Sequence, residues 1–156
     1  MDKNLNKYVN IYLQMIESLA AQKNISIENE TPVDIEIYGD PFMMQSILQN
    51  LISNAIKFTP NGGNITIEGR VKEGVEGLVE VRVNDSGIGM TEEIRKSIFD
   101  ESKTVTTEGT SEEKGSGLGL KLVKYFVNKQ GGTIWVESEP GKGSCFAFTV
   151  PKAKGF

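Results

Sequence analysis

The chain predicts an α+β fold, a two-layer α/β sandwich with helices packed on one face of a mixed, mainly antiparallel sheet. Three features of the sequence point that way. Long segments carry apolar residues at three- and four-residue steps, whereas short ones alternate apolar and polar positions. These segments follow one another as helix, two strands, helix, two strands, helix, loop, helix, two strands. The later strand pairs are joined by stretches rich in glycine, or containing Pro-Gly, that suit antiparallel hairpins. Strand pairs punctuated by helices leave one sheet face to be covered, which is the two-layer solution.

Each element has its own reason. Leu5, Tyr8, Val9, Tyr12, Leu13, Ile16, Leu19 and Ala20 hold the helical period, so a helix is expected to about Lys23. Residues 25–27 and 33–38 read as short strands, the second alternating Val33, Ile35 and Ile37 before Gly39. Asp40 is placed to cap a helix with Pro41 at its first position, and Phe42, Met43, Ile47, Leu48, Leu51, Ile52, Ala55 and Ile56 carry it to about Phe58. After the turn Pro60-Asn61-Gly62-Gly63, Ile65 and Ile67 open a strand that pairs with residues 78–83. Thr91 with Glu92 and Glu93 starts a helix to about Phe99. Residues 100–114 have no hydrophobic periodicity and read as a loop of functional length. Residues 117–130 are helical again, and 133–137 with 144–150 close the chain as a hairpin around Pro140 and Gly141.

Composition narrows the classes of function. The chain has 156 residues, 38% of them hydrophobic and 24% charged, enough for one domain with a core of its own. A formal charge of -4, with both signs spread along the length, argues against a nucleic-acid or anionic-membrane surface. The single cysteine, Cys145, excludes a disulfide framework and reads as a small core residue in a reducing compartment. No apolar stretch approaches the roughly 20 residues of a membrane span. A cytoplasmic location is expected, whatever anchors the parent protein. There are 0 histidines, so no Ser-His, Cys-His or histidine-metal chemistry can operate within this sequence.

Four patterns carry candidate chemistry. Asn50, Asn54 and Lys57 fall on one helical stripe. Two amide oxygens and an ammonium there suit a hydrated divalent cation beside a phosphate, although the same stripe also reads as the wet face of an amphipathic helix. Asp85 stands where a strand runs into Ser86-Gly87-Ile88-Gly89. It is positioned to accept a hydrogen bond from an exocyclic amino group such as that of adenine, while glycines let the backbone approach a flat ring. Asp and Gly are also ordinary turn formers. Gly115, Gly117 and Gly119 precede a helix, where freed N–H groups and the helix dipole favour an anion, or form a helix-start turn with no ligand. The loop 100–114, after Phe99, can close over a ligand or be surface loop only.

Taken together these residues resemble the ATP-binding catalytic domains of sensor histidine kinases, within the Bergerat-type fold shared with gyrase, Hsp90 and MutL. The likeness covers about 20–152. Residues 50–59 resemble the family's N box, 85–89 its first glycine box, Phe99 its F box and 115–119 its second glycine box. Residues 131–138 and 141–144 are similar to its closing hairpin. The resemblance implies ATP and Mg2+ as cofactors. Asn54 is the implied Mg2+ ligand with Asn50 assisting, and Lys57 the phosphate contact. Asp85, Gly87, Gly89, Thr59 and Phe99 line the nucleotide site, with Gly115, Gly117 and Gly119 holding phosphates. By its pattern, the first helix is either the domain's own cover or the end of a neighbouring bundle. Residues 1–23 are expected to be the end of a histidine-bearing dimerisation bundle or its linker, 24–152 the catalytic domain and 153–156 a tail. The expected partners are that dimerisation domain and, indirectly, a response regulator, with the fragment monomeric and the parent homodimeric.

One departure stands out. Where the family often continues after Phe99 with an aromatic and an arginine, this chain has Asp100-Glu101-Ser102-Lys103, so that either Lys103 or Lys114 is a weak candidate for cationic help at the γ-phosphate or the lid orders only when the partner domain docks. Relatives that hydrolyse ATP usually carry a glutamate one helical turn before the Mg2+-binding asparagine. Here that position is Asn50, and an amide is no general base. A serine kinase of the same fold and a nucleotide-binding scaffold stay open as alternatives.

Overall fold

The computed structural model describes residues 2–72, 77–99 and 119–153. Its elements run β1 (Asp2–Asn4), α1 (Leu5–Gln22), β2 (Ser26–Asn29), β3 (Glu36–Tyr38), α2 (Pro41–Phe58), β4 (Asn64–Val71), β5 (Leu78–Asp85), α3 (Glu92–Ser97), α4 (Gly119–Lys129), β6 (Ile134–Ser138) and β7 (Ser144–Pro151). The main sheet has the order β2-β4-β5-β7-β6. Only β2 and β4 pair in parallel; the remaining neighbours are antiparallel. This is the mixed, mainly antiparallel sheet that the sequence predicts.

Alternation decides which face is covered. Ile65 and Ile67 of β4, Val79, Val81 and Val83 of β5, and Phe146, Phe148 and Val150 of β7 are buried under the helices. α2 packs over β5, and α4 lies over β6 and β7. The other face is polar. Arg82 bridges Glu80 at 2.7 Å and Glu137 at 3.1 Å, with Arg70 3.0 Å from the same Glu80 carboxylate. Cys145 belongs to this polar face, against the expectation of a core residue. The period-2 pleat that aims Phe146 and Phe148 at the helices turns Cys145 away, half-buried and 3.5 Å from Arg82 Nη1.

The helices begin where their caps say. Asn4 Oδ1 accepts from Lys7 N, Asp40 Oδ1 from Met43 N and Thr91 Oγ1 from Ile94 N. α1 buries Leu5, Val9, Tyr12, Ile16 and Ala20 against the rest of the domain, while Ile11, Met15 and Leu19 face outward. It runs alongside α2 in the same direction, since Tyr8 lies near Asp40 at one end and Lys23 meets Ile56 at the other.

Two strands differ from expectation. The strand expected over 33–38 shrinks to β3, because Val33 is 76% exposed in a turn while only Ile35 and Ile37 are buried. β3 then pairs with β1 as a separate ribbon, touching the chain just beyond β7 through a single bridge between Ile37 and Lys152. β1 consists of Asp2, Lys3 and Asn4, which carry no alternation, so only the distant pairing makes them a strand.

α2 is the spine of the domain: Met44, Ile47, Leu48, Leu51, Ile52, Ala55 and Ile56 are all buried. Leu51 is 0% exposed. Leu51→Ala is expected to cost about 3 kcal/mol in a urea unfolding titration, from lost transfer energy and the cavity left behind. A loss under about 1 kcal/mol would mean that α2 is less tightly packed than its burial implies.

Candidate functional site

The polar stripe of α2 forms as expected. Asn50, Asn54 and Lys57 are partly exposed, backed by the buried Leu51, Ile52, Ala55 and Ile56. Asn50 is oriented by its own helix, its Nδ2 donating to Ser46 O at 2.8 Å. Its Oδ1 is thereby directed at the start of α4, only 2.8 Å from where a Cβ on Gly119 would stand. Any side chain at Gly119 would displace that oxygen, so the glycine brings the two helices together at the stripe. Lys57 Nζ lies 4.9 Å from the centre of the Phe58 ring. An amide-only oxygen set fits a cation that keeps most of its waters and takes its remaining charge from phosphates, as Mg2+ does.

Thr59 does not face a ligand. It is 0% exposed and its Oγ1 donates to Ala55 O at 2.7 Å, so it closes the last turn of α2 from inside the core. A nucleotide contact was expected of this residue; in the structure its hydroxyl serves the end of the helix.

Asp85 ends β5 and is largely desolvated, which pushes its carboxyl up to about 6 although two backbone N–H groups work the other way. Those donors are Gly87 N at 2.9 Å and Ser144 N at 3.2 Å, both to Oδ1. Oδ2 has no hydrogen-bond partner among the described residues. One oxygen fixes the carboxylate and the other is left for a donor.

The glycines of this loop have a need that precedes any ligand. A Cβ on Gly87 would stand 2.4 Å from Phe58 O, and one on Gly89, at φ +71°, 1.9 Å from Glu139 O. The loop is thus pressed between the end of α2 and the β6–β7 hairpin. Clearance for a flat ring was the reason expected from sequence; contact with the chain's own backbone is what the structure adds.

Phe99 stacks edge-on with Phe146 at 6.1 Å, and its carbonyl accepts from Lys124 Nζ at 3.3 Å. It anchors the end of the α3 segment on the core. Gly115 and Gly117, with the loop 100–114 and its Lys103 and Lys114, lie outside the described residues. Ser144 and Gly143 are contributors that the sequence marked only as hairpin. Gly143, at φ +83°, lets the hairpin come so close that a Cβ there would stand 2.1 Å from Asp85 O. A cavity of about 700 Å3 also opens beside Asp85, lined by Met90, Arg95, Glu137, Ser138 and Cys145 among others. It includes none of Asn50, Asn54 or Lys57, so it is separate from the stripe.

Comparison with known proteins converges on the same reading. Residues 39–154 match the family of histidine kinase-, DNA gyrase B- and HSP90-like ATPases. The adaptive-response sensory kinase SasA of Parasynechococcus marenigrum (strain WH8102) is 39% identical over 142 residues, covering 90% of this chain but 36% of the relative. The chain thus spans about a third of the length of this relative. Among solved structures, the catalytic domain of the histidine kinase ThkA superposes with a TM-score of 0.82 at 28% identity, covering 99% of this chain and 98% of that one. Full-length ShkA, solved in complex with AMPPNP, gives 0.80 at 27% identity, covering 99% of this chain and 31% of ShkA. A family match over most of the chain means that this chain belongs to the histidine kinase-, DNA gyrase B- and HSP90-like ATPases.

Proposed function

We propose that the chain binds Mg-ATP and donates its γ-phosphate to a histidine on a separate dimerisation domain of the same parent protein. The meeting of Asn50 Oδ1 with the start of α4 at Gly119 is the observation that carries this reading. It supports a phosphate path running along the α2 stripe to a helix N-terminus, with adenine at Asp85. Bound Mg2+ would neutralise charge between the β- and γ-phosphates. Asn54 and Asn50 would supply oxygens to hold it, Lys57 would neutralise phosphate, and the uncommitted Oδ2 of Asp85 would take the adenine amino proton.

Phosphoryl transfer needs position and charge neutralisation more than a nucleophile from the catalytic domain. With 0 histidines the acceptor must come from outside this sequence. Residues 1–23 are then the link to that domain and 24–152 the catalytic unit. No described helix is long and apolar enough to cross a membrane. The wider setting is a homodimeric, cytoplasmic kinase module that passes phosphate to a response regulator.

Hydrolysis is the competing outcome. Activating water needs a base beside the γ-phosphate, and Asn50 supplies an amide whose nitrogen is already donating to Ser46. The test is to incubate the chain with radiolabelled ATP, Mg2+ and a histidine-bearing helical bundle joined ahead of Leu5. Acid-labile phosphate should accumulate on the bundle, with little free phosphate released. Steady phosphate release with an unlabelled bundle would favour the hydrolysing clamp.

A further inference from the structure

We propose that Lys23 is a positioning residue for the nucleotide site, a buried ammonium that fixes the end of α2 and, through it, the loop that aims Asp85. The proposal rests on the nucleotide reading above. Lys23 is 7% exposed, unusual for a lysine, and its Nζ donates to Ile56 O at 2.9 Å and to Lys57 O at 3.3 Å.

The last four carbonyls of a helix have no partner within it. In α2 each finds a donor: Ala55 O takes Thr59 Oγ1, Ile56 O and Lys57 O take Lys23 Nζ, and Phe58 O takes Ile88 N at 3.2 Å. The ammonium also opposes the negative end of the helix dipole. Beyond Phe58 the contacts continue without a gap into the site. Ile88 hangs on Phe58 O, Gly87 is pressed against the same carbonyl, and Gly87 N holds Asp85 Oδ1. Lys57, the phosphate contact, sits on the carbonyl that Lys23 grips.

The base of this clasp is rigid. Lys23 O accepts from Gly62 N at 2.9 Å, and Asn24 takes a left-handed φ of 53° to turn the chain from α1 into β2. The end of α1 is therefore tied to the adenine end of the site by a buried cation and three consecutive carbonyls. Losing the ammonium would leave Ile56 O with the longer bond from Thr59 N at 3.3 Å and take this donor from the part-buried Lys57 O, which would loosen the last turn of α2 and release Ile88.

The test compares Lys23→Met, which keeps the stem and removes the donor, with Lys23→Arg, which restores a cation. Mg-ATP affinity is read by calorimetry, and amide hydrogen exchange is read at Ile88 and along β6 and β7. Lys23→Met should weaken Mg-ATP about tenfold and speed exchange at Ile88 by a similar factor, leaving the β6–β7 amides near wild type. Lys23→Arg should recover both to within about threefold. Lys23→Gln, a shorter neutral donor, is run in parallel so that a Met variant unable to fold still leaves a reading. Equal acceleration of every amide, or an unchanged Ile88, would overturn the proposal. If the unmodified chain bound no Mg-ATP the nucleotide reading would fall, and exchange at Ile88 would decide on the clasp alone.

Discussion

Asp85→Asn is expected to yield a chain that folds more stably than the parent at neutral pH and loses at least about 100-fold in affinity for ATP. Both effects come from one arrangement. Oδ1 accepts two backbone N–H groups, which an amide oxygen can also do, so the substitution keeps the anchoring. What changes is the group at the position of Oδ2. On the proposed reading a carboxylate there would accept from an adenine amino group, whereas an amide NH2 would meet it donor to donor. Meanwhile burial holds the carboxyl at about 6 instead of 3.8, so ionising it in the folded chain costs ~3 kcal/mol. The amide avoids that cost.

The pH dependence follows with a definite sign. The folded carboxyl binds its proton more tightly than the unfolded one, so wild-type stability falls as pH rises from about 4 to about 6 and is level above. Asp85→Asn removes that slope. In urea titrations the variant's advantage should be near zero at pH 4 and reach roughly 2–3 kcal/mol by pH 7. ATP affinity in the wild type should run the other way, weakening below pH 6 as the acceptor is protonated. An advantage that does not change with pH would show that the carboxyl is not destabilised by burial, and undiminished ATP binding would remove Asp85 from the site.

How much of this was legible beforehand depends on how local each cause is. The stripe of Asn50, Asn54 and Lys57 could be read directly, because helical spacing alone sets it and the buried backing of α2 is a strong periodic signal. The β4–β5 and β6–β7 pairs were legible for the same reason, hydrophobic alternation closed by a turn. β1 was not, since its pairing with β3 depends on tertiary approach and leaves no mark on Asp2, Lys3 and Asn4. The bond from Thr59 back to Ala55 was not legible, because a threonine at a helix end looks alike whether its hydroxyl faces a ligand or turns back on its own helix. Lys23 went unremarked because nothing local distinguishes a buried lysine from a solvated one. Its partners lie 33 and 34 residues away.

Gly89→Ala shows how far the site depends on packing outside it. At φ +71° an alanine pays the left-handed penalty of about 1 kcal/mol, and its Cβ would also lie 1.9 Å from Glu139 O and 2.7 Å from Glu139 C. Both are backbone atoms with little room to yield. Ile88 O is bonded to Gly141 N at 2.7 Å and Met90 N to Ser138 Oγ at 2.8 Å, so the loop is fastened to the hairpin on each side of Gly89. Relief must come from breaking one of those fastenings, for a total loss of roughly 3 kcal/mol or more. Gly141→Ala is the matched control, with φ +78° and nothing within 4 Å of its Cβ, and should cost only about 1 kcal/mol. Urea unfolding separates the two, and equal losses would mean that the hairpin yields freely. Because Ser144 N on that hairpin also holds Asp85 Oδ1, the displacement should turn the carboxylate. The folded fraction of Gly89→Ala should then bind ATP far more weakly than Gly141→Ala does.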